Sequence, residues 1–141
     1  SIFDVSDFSN PILLHKELLG DRGTESEARR NHKAFTFWAE QGLLALPIEL
    51  HEFAALPLHA LEWANETFRG LYVYRVSADG GFKLLGRIKT ADPQAAPRFF
   101  FNDWMRGIFI DDTVYAVKGN AVHRANINDI PHTVQSVALV K

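Results

Sequence analysis

Self-similarity constrains this chain more than any other feature of its sequence. Three stretches share one pattern of strand, polar turn and strand. The first is Ile2-Phe3-Asp4-Val5-Ser6-Asp7, then Pro11, then Ile12-Leu13-Leu14-His15-Lys16-Glu17-Leu18. The second is Leu71-Tyr72-Val73-Tyr74-Arg75-Val76-Ser77, then Asp79-Gly80-Gly81, then Phe82-Lys83-Leu84-Leu85-Gly86-Arg87-Ile88. The third is Ala121-Val122-His123-Arg124-Ala125-Asn126-Ile127, then Asn128-Asp129-Ile130-Pro131, then Thr133-Val134-Gln135-Ser136-Val137-Ala138-Leu139.

The second and third copies each follow a further hairpin. One turns at Glu40-Gln41-Gly42 between Ala34–Trp38 and Leu43–Ile48, the other at Asp111-Asp112 between Gly107–Ile110 and Thr113–Val117. The order is therefore two strands, then four, then four. Antiparallel quartets recurring along a chain are the mark of propeller blades; a β-sandwich also holds ten short strands but does not require self-similar quartets. The expected fold is all-β, with antiparallel four-stranded propeller blades, about two and a half of them. The half blade occupies 1–19, one blade 33–89 with an insertion at 49–69, and one blade 99–141.

Composition narrows the function classes. Apolar residues make up 47% and charged residues 23% of 141, which suits a packed domain rather than a disordered chain. Net charge is −2 with Lys and Arg scattered, so no nucleic-acid footprint is expected. Cys is absent, which excludes disulfides, thiolate metal sites and a Cys nucleophile. No apolar run approaches the roughly 18 residues of a membrane span, and no signal peptide is visible. The abrupt start at Ser1, already in strand pattern, reads as an excised segment.

Several phrases carry a family likeness: His32-Lys33-Ala34-Phe35, Gly42-Leu43-Leu44-Ala45-Leu46-Pro47, Arg69-Gly70-Leu71-Tyr72-Val73-Tyr74-Arg75-Val76, Gly81–Ile88 and Arg106–Val117. With Gly20-Asp21-Arg22-Gly23 and Ser26-Glu27-Ala28, they resemble the bacterial and archaeal beta-propeller-domain family over nearly the whole chain. The resemblance implies a propeller distantly related to WD repeats, the C-terminal part of the family's domain, and an exported or cell-surface setting. It carries no activity, so no catalytic residue transfers from it. Glu49 to Phe68 departs from the family's pattern by its length.

The loop Gly20–His32 is the densest candidate site. Asp21, Glu25, Glu27 and His32 have the donor chemistry for a divalent cation, the one cofactor this sequence suggests, although their spacing fits no defined metal loop. The alternative is structural: Asp21 and Glu27 accept backbone N–H groups or pair with Arg22, Arg29 or Arg30. His32 stands at a strand entry, where a channel-lining role competes with a hydrogen-bonding one. Ser26, His32 and Asp21 have the residue types of a catalytic triad, but nothing in their spacing supports one.

Two aromatic stretches are candidate partner surfaces. Apolar positions at three- and four-residue steps in Leu58–Ala64, after Pro57, predict a short helix near 57–66; the segment Leu50–Phe68 around it carries Phe53, Leu56, Leu61 and Trp63, with Phe53, Leu61 and Trp63 the partner-surface candidates. Phe99-Phe100-Phe101-Asn102-Asp103-Trp104-Met105 is a second cluster, suited to packing between blades or to stacking a ligand through Trp104. Long connections at 20–32, 49–69 and 90–106 alternate with short turns, so one end of the blades is decorated and the other trimmed.

The reading is a non-catalytic propeller module that presents long loops to a protein or another macromolecule. The alternatives are a metal-dependent hydrolase built on the 21–32 loop and a self-assembly domain. Two and a half blades leave strand edges unprotected, so a homo-oligomer is expected of the isolated chain.

Overall fold

A computed structural model describes residues 1–57, 59, 61–91, 104–119 and 121–139. The described residues form ten strands in three antiparallel sheets. Strands β1 (Ile2–Asp4) and β2 (Ile12–His15) make a two-stranded sheet. A four-stranded sheet follows in the order β3 (Thr36–Trp38), β4 (Leu43–Glu52), β5 (Asn65–Ser77), β6 (Gly81–Ala91). A second four-stranded sheet holds β7 (Met105–Ile110), β8 (Thr113–Lys118), β9 (Ala121–Asn126) and β10 (Gln135–Ala138), again in sequence order. Among the described residues no helix is long and apolar enough to cross a membrane.

The two quartets are the expected ones, and each strand is paired with its sequence neighbour. Short turns close the hairpins because they hold the residues such turns need. Gly42 takes φ 61° after the turn at Ala39–Gln41, and Asp111 takes φ 49° in the two-residue turn before β8. Between β9 and β10 a helical turn, α1 (Ile130–Thr133), replaces a simple polar turn. Pro131 suits its first turn, and Ile130 is fully buried against Gly86 of β6, where a Cβ would meet the Ile130 Cβ at 2.6 Å.

The core lies between the sheets. Leu43, Ala45, Leu71, Val73 and Ile88 of the β3–β6 sheet pack on Met105, Val114, Ala116 and Ala125 of the β7–β10 sheet and on Ile127 just after β9. Gly107 allows this close approach, since a Cβ there would lie 2.6 Å from the Ala45 Cβ. Thr36 also donates its hydroxyl to the Gly107 carbonyl at 2.8 Å, joining β3 to β7.

The opposite face of the β3–β6 sheet buries Leu44, Ile48, Leu50, Phe68, Tyr72 and Tyr74. Its aromatic rings run in sequence, with Phe68–Tyr72 centroids at 5.3 Å and Tyr72–Tyr74 and Tyr74–Phe82 both at 6.0 Å. Leu19 packs against this face, and the His15 ring of β2 reaches the Ala78 carbonyl at 2.7 Å.

Tyr74 is 2% exposed and its hydroxyl has no hydrogen-bond partner among the described residues. Tyr74→Phe removes that unmet polar group, so stability at pH 7 is expected to rise by about 1 kcal/mol in urea unfolding. Burial, and after it the charge of Glu17, push the hydroxyl above the ordinary value of 10.0. The folded state thus holds its proton where the unfolded state loses it, so stability falls as pH rises beyond that value. The Tyr74→Phe variant should lack this share of the alkaline loss; an unchanged pH profile would count against the assignment.

The expected helix near 57–66 is not formed in its described residues. His59 lies in a bend, Leu61 in a turn, and β5 begins at Asn65. Among the described residues there, Glu62 donates its N–H to the His59 carbonyl at 3.1 Å, a single-turn contact. A helix this short requires burial of its apolar stripe, yet Leu61 is 75% exposed and Trp63 66%. Instead Ala64 donates its N–H to the Arg22 carbonyl at 3.0 Å. Both ends of the insertion at 49–69 are strand, because β4 runs to Glu52 and β5 starts at Asn65.

Candidate functional site

Antiparallel pairing puts the long connections at one end of the sheets and the turns at 39–42 and 78–80 at the other. The segment between β2 and β3 organises the long-loop end. β3 pairs with β4 only over Leu43–Ala45, which leaves the rest of the β4 edge open. Residues 21–26 close it. Glu25 and Glu49 exchange backbone hydrogen bonds at 3.0 and 2.9 Å. Ser26 donates its hydroxyl to the Pro47 carbonyl at 2.6 Å, and Asp21 donates its N–H to the His51 carbonyl at 2.7 Å. The segment therefore protects an edge that would otherwise present unpaired backbone groups.

Glycine makes this fit possible. Gly23 has φ 115°, and a Cβ there would lie 2.7 Å from the His51 ring. Gly20 has φ 58°, and its Cβ would lie 2.3 Å from the Thr24 hydroxyl.

The four singled-out polar residues of this loop diverge in their partners. The Asp21 carboxylate accepts the Phe53 N–H at 2.9 Å. The Glu25 carboxylate takes Arg29 at 2.9 Å and Arg30 at 3.3 Å. The Glu27 carboxylate accepts the Met105 N–H at 2.9 Å, Arg106 at 2.7 Å and the Asn31 amide at 2.9 Å. His32 opens a short 3-10 turn that Asn31 caps by accepting the Lys33 N–H at 3.1 Å, and its ring is exposed. Among the described residues no group of three or more His, Asp or Glu is placed to hold a metal ion. Ser26 is spent as a cap, accepting the Ala28 N–H at 3.3 Å while donating to Pro47.

Glu27 is the residue that spans the sheets. It directly follows the edge-closing segment of one quartet and holds the first residues of the other, Met105 and Arg106. Its side chain and that of Arg106 are 25% and 21% exposed, so the pair is shielded more than a surface pair. Deeper in the same end, Arg69 forms two 2.7 Å bonds to Glu66 and lies 3.7 Å from Glu49.

Outside this polar frame the end is apolar and open. Leu56 is 92% exposed, Leu61 75%, Trp63 66% and Trp104 42%. Phe53 is half-buried beside them in sequence and is anchored by Asp21. Each Trp carries an arginine: Arg22 lies 4.9 Å from the Trp63 ring, and Arg106 lies 5.6 Å from the Trp104 ring. The cluster Phe99–Asp103 lies outside the described residues.

Sequence reasoning did not find two parts of this end. The Arg22–Trp63 stack depends on a loop meeting another loop. Arg106 as the partner of Glu27 is a contact across 79 positions, for which a single sequence holds no signal.

The Beta propeller domain family model matches residues 1–130, which takes in the two-stranded sheet, the first quartet and the second quartet through β9. No curated protein and no solved structure matches the chain. With quartets in the expected order and a match over most of its length, the chain belongs to the beta propeller domain family.

Proposed function

We propose that the chain is a non-catalytic binding module whose long-loop end engages a macromolecular partner. The observation that carries this is the exposure of Leu56, Leu61 and Trp63 on a loop beside the 21–26 segment that is hydrogen-bonded to β4, and of Trp104 directly before β7. Large apolar side chains held outward on an ordered frame gain affinity because little entropy is lost on docking. The carboxylates of Asp21, Glu25 and Glu27 are taken up by backbone N–H groups and arginines, which favours a supporting role for them over a metal-hydrolytic one. An exported or cell-surface setting is part of the same proposal and rests on the family likeness alone.

The test compares the chain with a Leu61→Ser/Trp63→Ala variant in affinity capture, followed by titration with each purified candidate. Binding is expected to weaken by about 100-fold in the variant, as for loss of a central aromatic anchor. Equal binding by both proteins would overturn the proposal. Melting in Ca²⁺, Mn²⁺ or Zn²⁺ is expected to stay unchanged. A rise of roughly 10 °C, the effect of metal at about 100 times its Kd, would restore the hydrolase reading.

A further inference from the structure

Asn65-Glu66-Thr67 is an acceptor pattern for N-linked sugar, Asn-x-Ser/Thr with a middle residue other than proline. Every other asparagine of the sequence lacks a Ser or Thr two positions on. A tripeptide this short recurs by chance, so its placement decides whether it can act.

Asn65 opens β5 at the long-loop end, directly after the loop that carries Leu61 and Trp63. Exposure alternates along this stretch: Trp63, Asn65 and Thr67 are exposed, whereas Ala64 and Phe68 are buried. Glu52, the last residue of β4, pairs with Asn65 and also accepts the Thr67 hydroxyl, in keeping with a shared side for Asn65 and Thr67. Asparagine is a poor strand residue, and a fold that uses one normally engages it in a local hydrogen bond. Asn31 does so, capping a turn and giving its amide to Glu27. Asn126 does so too, accepting the Asn128 N–H. Among the described residues no such bond occupies the Asn65 side chain.

We infer that Asn65 is the attachment site of an N-linked oligosaccharide. The inference rests on the exported setting proposed above, because the sugar donor is a lipid-phosphate-linked oligosaccharide of the export route. The Asn65 amide nitrogen bonds to the anomeric carbon as the sugar–phosphate C–O bond breaks. The amide proton passes to a base of the transferring enzyme, and the lipid phosphate leaves. In the folded chain Glu52 holds both Asn65, by strand pairing, and the Thr67 hydroxyl. Transfer therefore takes place on the emerging chain, before β4 and β5 pair. Once attached, the sugar projects from a side chain at the mouth of the β4–β5 pair and leaves the backbone ladder intact. It sets a hydrated chain at the rim of the apolar surface of Leu61 and Trp63, where it limits non-specific association.

The test isolates the protein from the cells that make it, fractionates those cells, and weighs the peptide that carries Asn65 by mass spectrometry. The exported protein is expected to show that peptide heavier by whole sugar units. Asn65→Gln and Thr67→Ala should each lose the added mass, while Thr67→Ser keeps it, because the hydroxyl at this position is retained. Asn65→Gln alters an exposed side chain with no bond to a described residue, so its melting temperature should match that of the sugar-free chain. Exported protein with a bare Asn65 would overturn the inference and leave the exported setting standing. Protein retained in the cytoplasm would overturn both. Added mass on this peptide that survives Asn65→Gln would place the sugar elsewhere and end the assignment.

Discussion

Gly107→Ala is expected to destabilise the chain by about 2–3 kcal/mol, and Ala45→Gly in the same molecule to recover most of that loss. The added methyl would lie 2.6 Å from the Ala45 Cβ and 3.3 Å from both Leu71 methyls, in the layer between the quartets. Neither neighbour can swing aside. Ala45 has no rotamer, and Leu71 is fully buried. The sheets must therefore part by a few tenths of an ångström across the whole interface, which loosens Val73, Val114 and Ala116 together. Removing the Ala45 methyl returns that space at the cost of a strand glycine, about 1 kcal/mol. Urea unfolding of the two single variants and the double variant gives the coupling directly. A strictly additive pair would mean that the sheets are not in contact at this point.

This position illustrates what the sequence could and could not disclose. Gly107 opens a strand in the repeat, and the quartets were legible because alternation and turn residues are local signals. That its missing side chain admits Ala45 is a tertiary fact, joining residues 62 positions apart. The same division runs through the candidate site. The cluster of Asp21, Glu25, Glu27 and His32 was visible as composition, but its partners were not. Glu25 appeared as a ligand candidate because a carboxylate looks alike whether it faces a metal ion or, as here, two arginines. The helix expected after Pro57 failed for the converse reason. Its spacing was helical, yet its apolar side has nothing to lie against, and β5 and the Arg22 carbonyl claim the backbone first. The strand segments 49–52 and 65–69 were hidden among polar residues because segment 21–26 completes their sheet from elsewhere in the chain.

Glu27→Ala is expected to cost about 3 kcal/mol and to free the start of β7 from the first quartet. One carboxylate serves three donors: the Met105 N–H, the Arg106 guanidinium and the Asn31 amide. Met105 is 4% exposed, so its N–H loses its partner without gaining water, and the arginine keeps a half-shielded charge. Glu27→Gln retains an acceptor for the Met105 N–H but not the ion pair, and should cost roughly half as much. A double-mutant cycle with Arg106→Ala separates the charge contact from the backbone contact, with a coupling of about 1–2 kcal/mol expected for the pair. Hydrogen exchange adds a local readout. The Met105 amide should exchange much faster in Glu27→Ala, while the amides of Val114 and Ala116 change only as much as the global stability does. If Met105 keeps its protection when Glu27 is truncated, the clamp between quartets lies elsewhere and the long-loop end is held by the core alone.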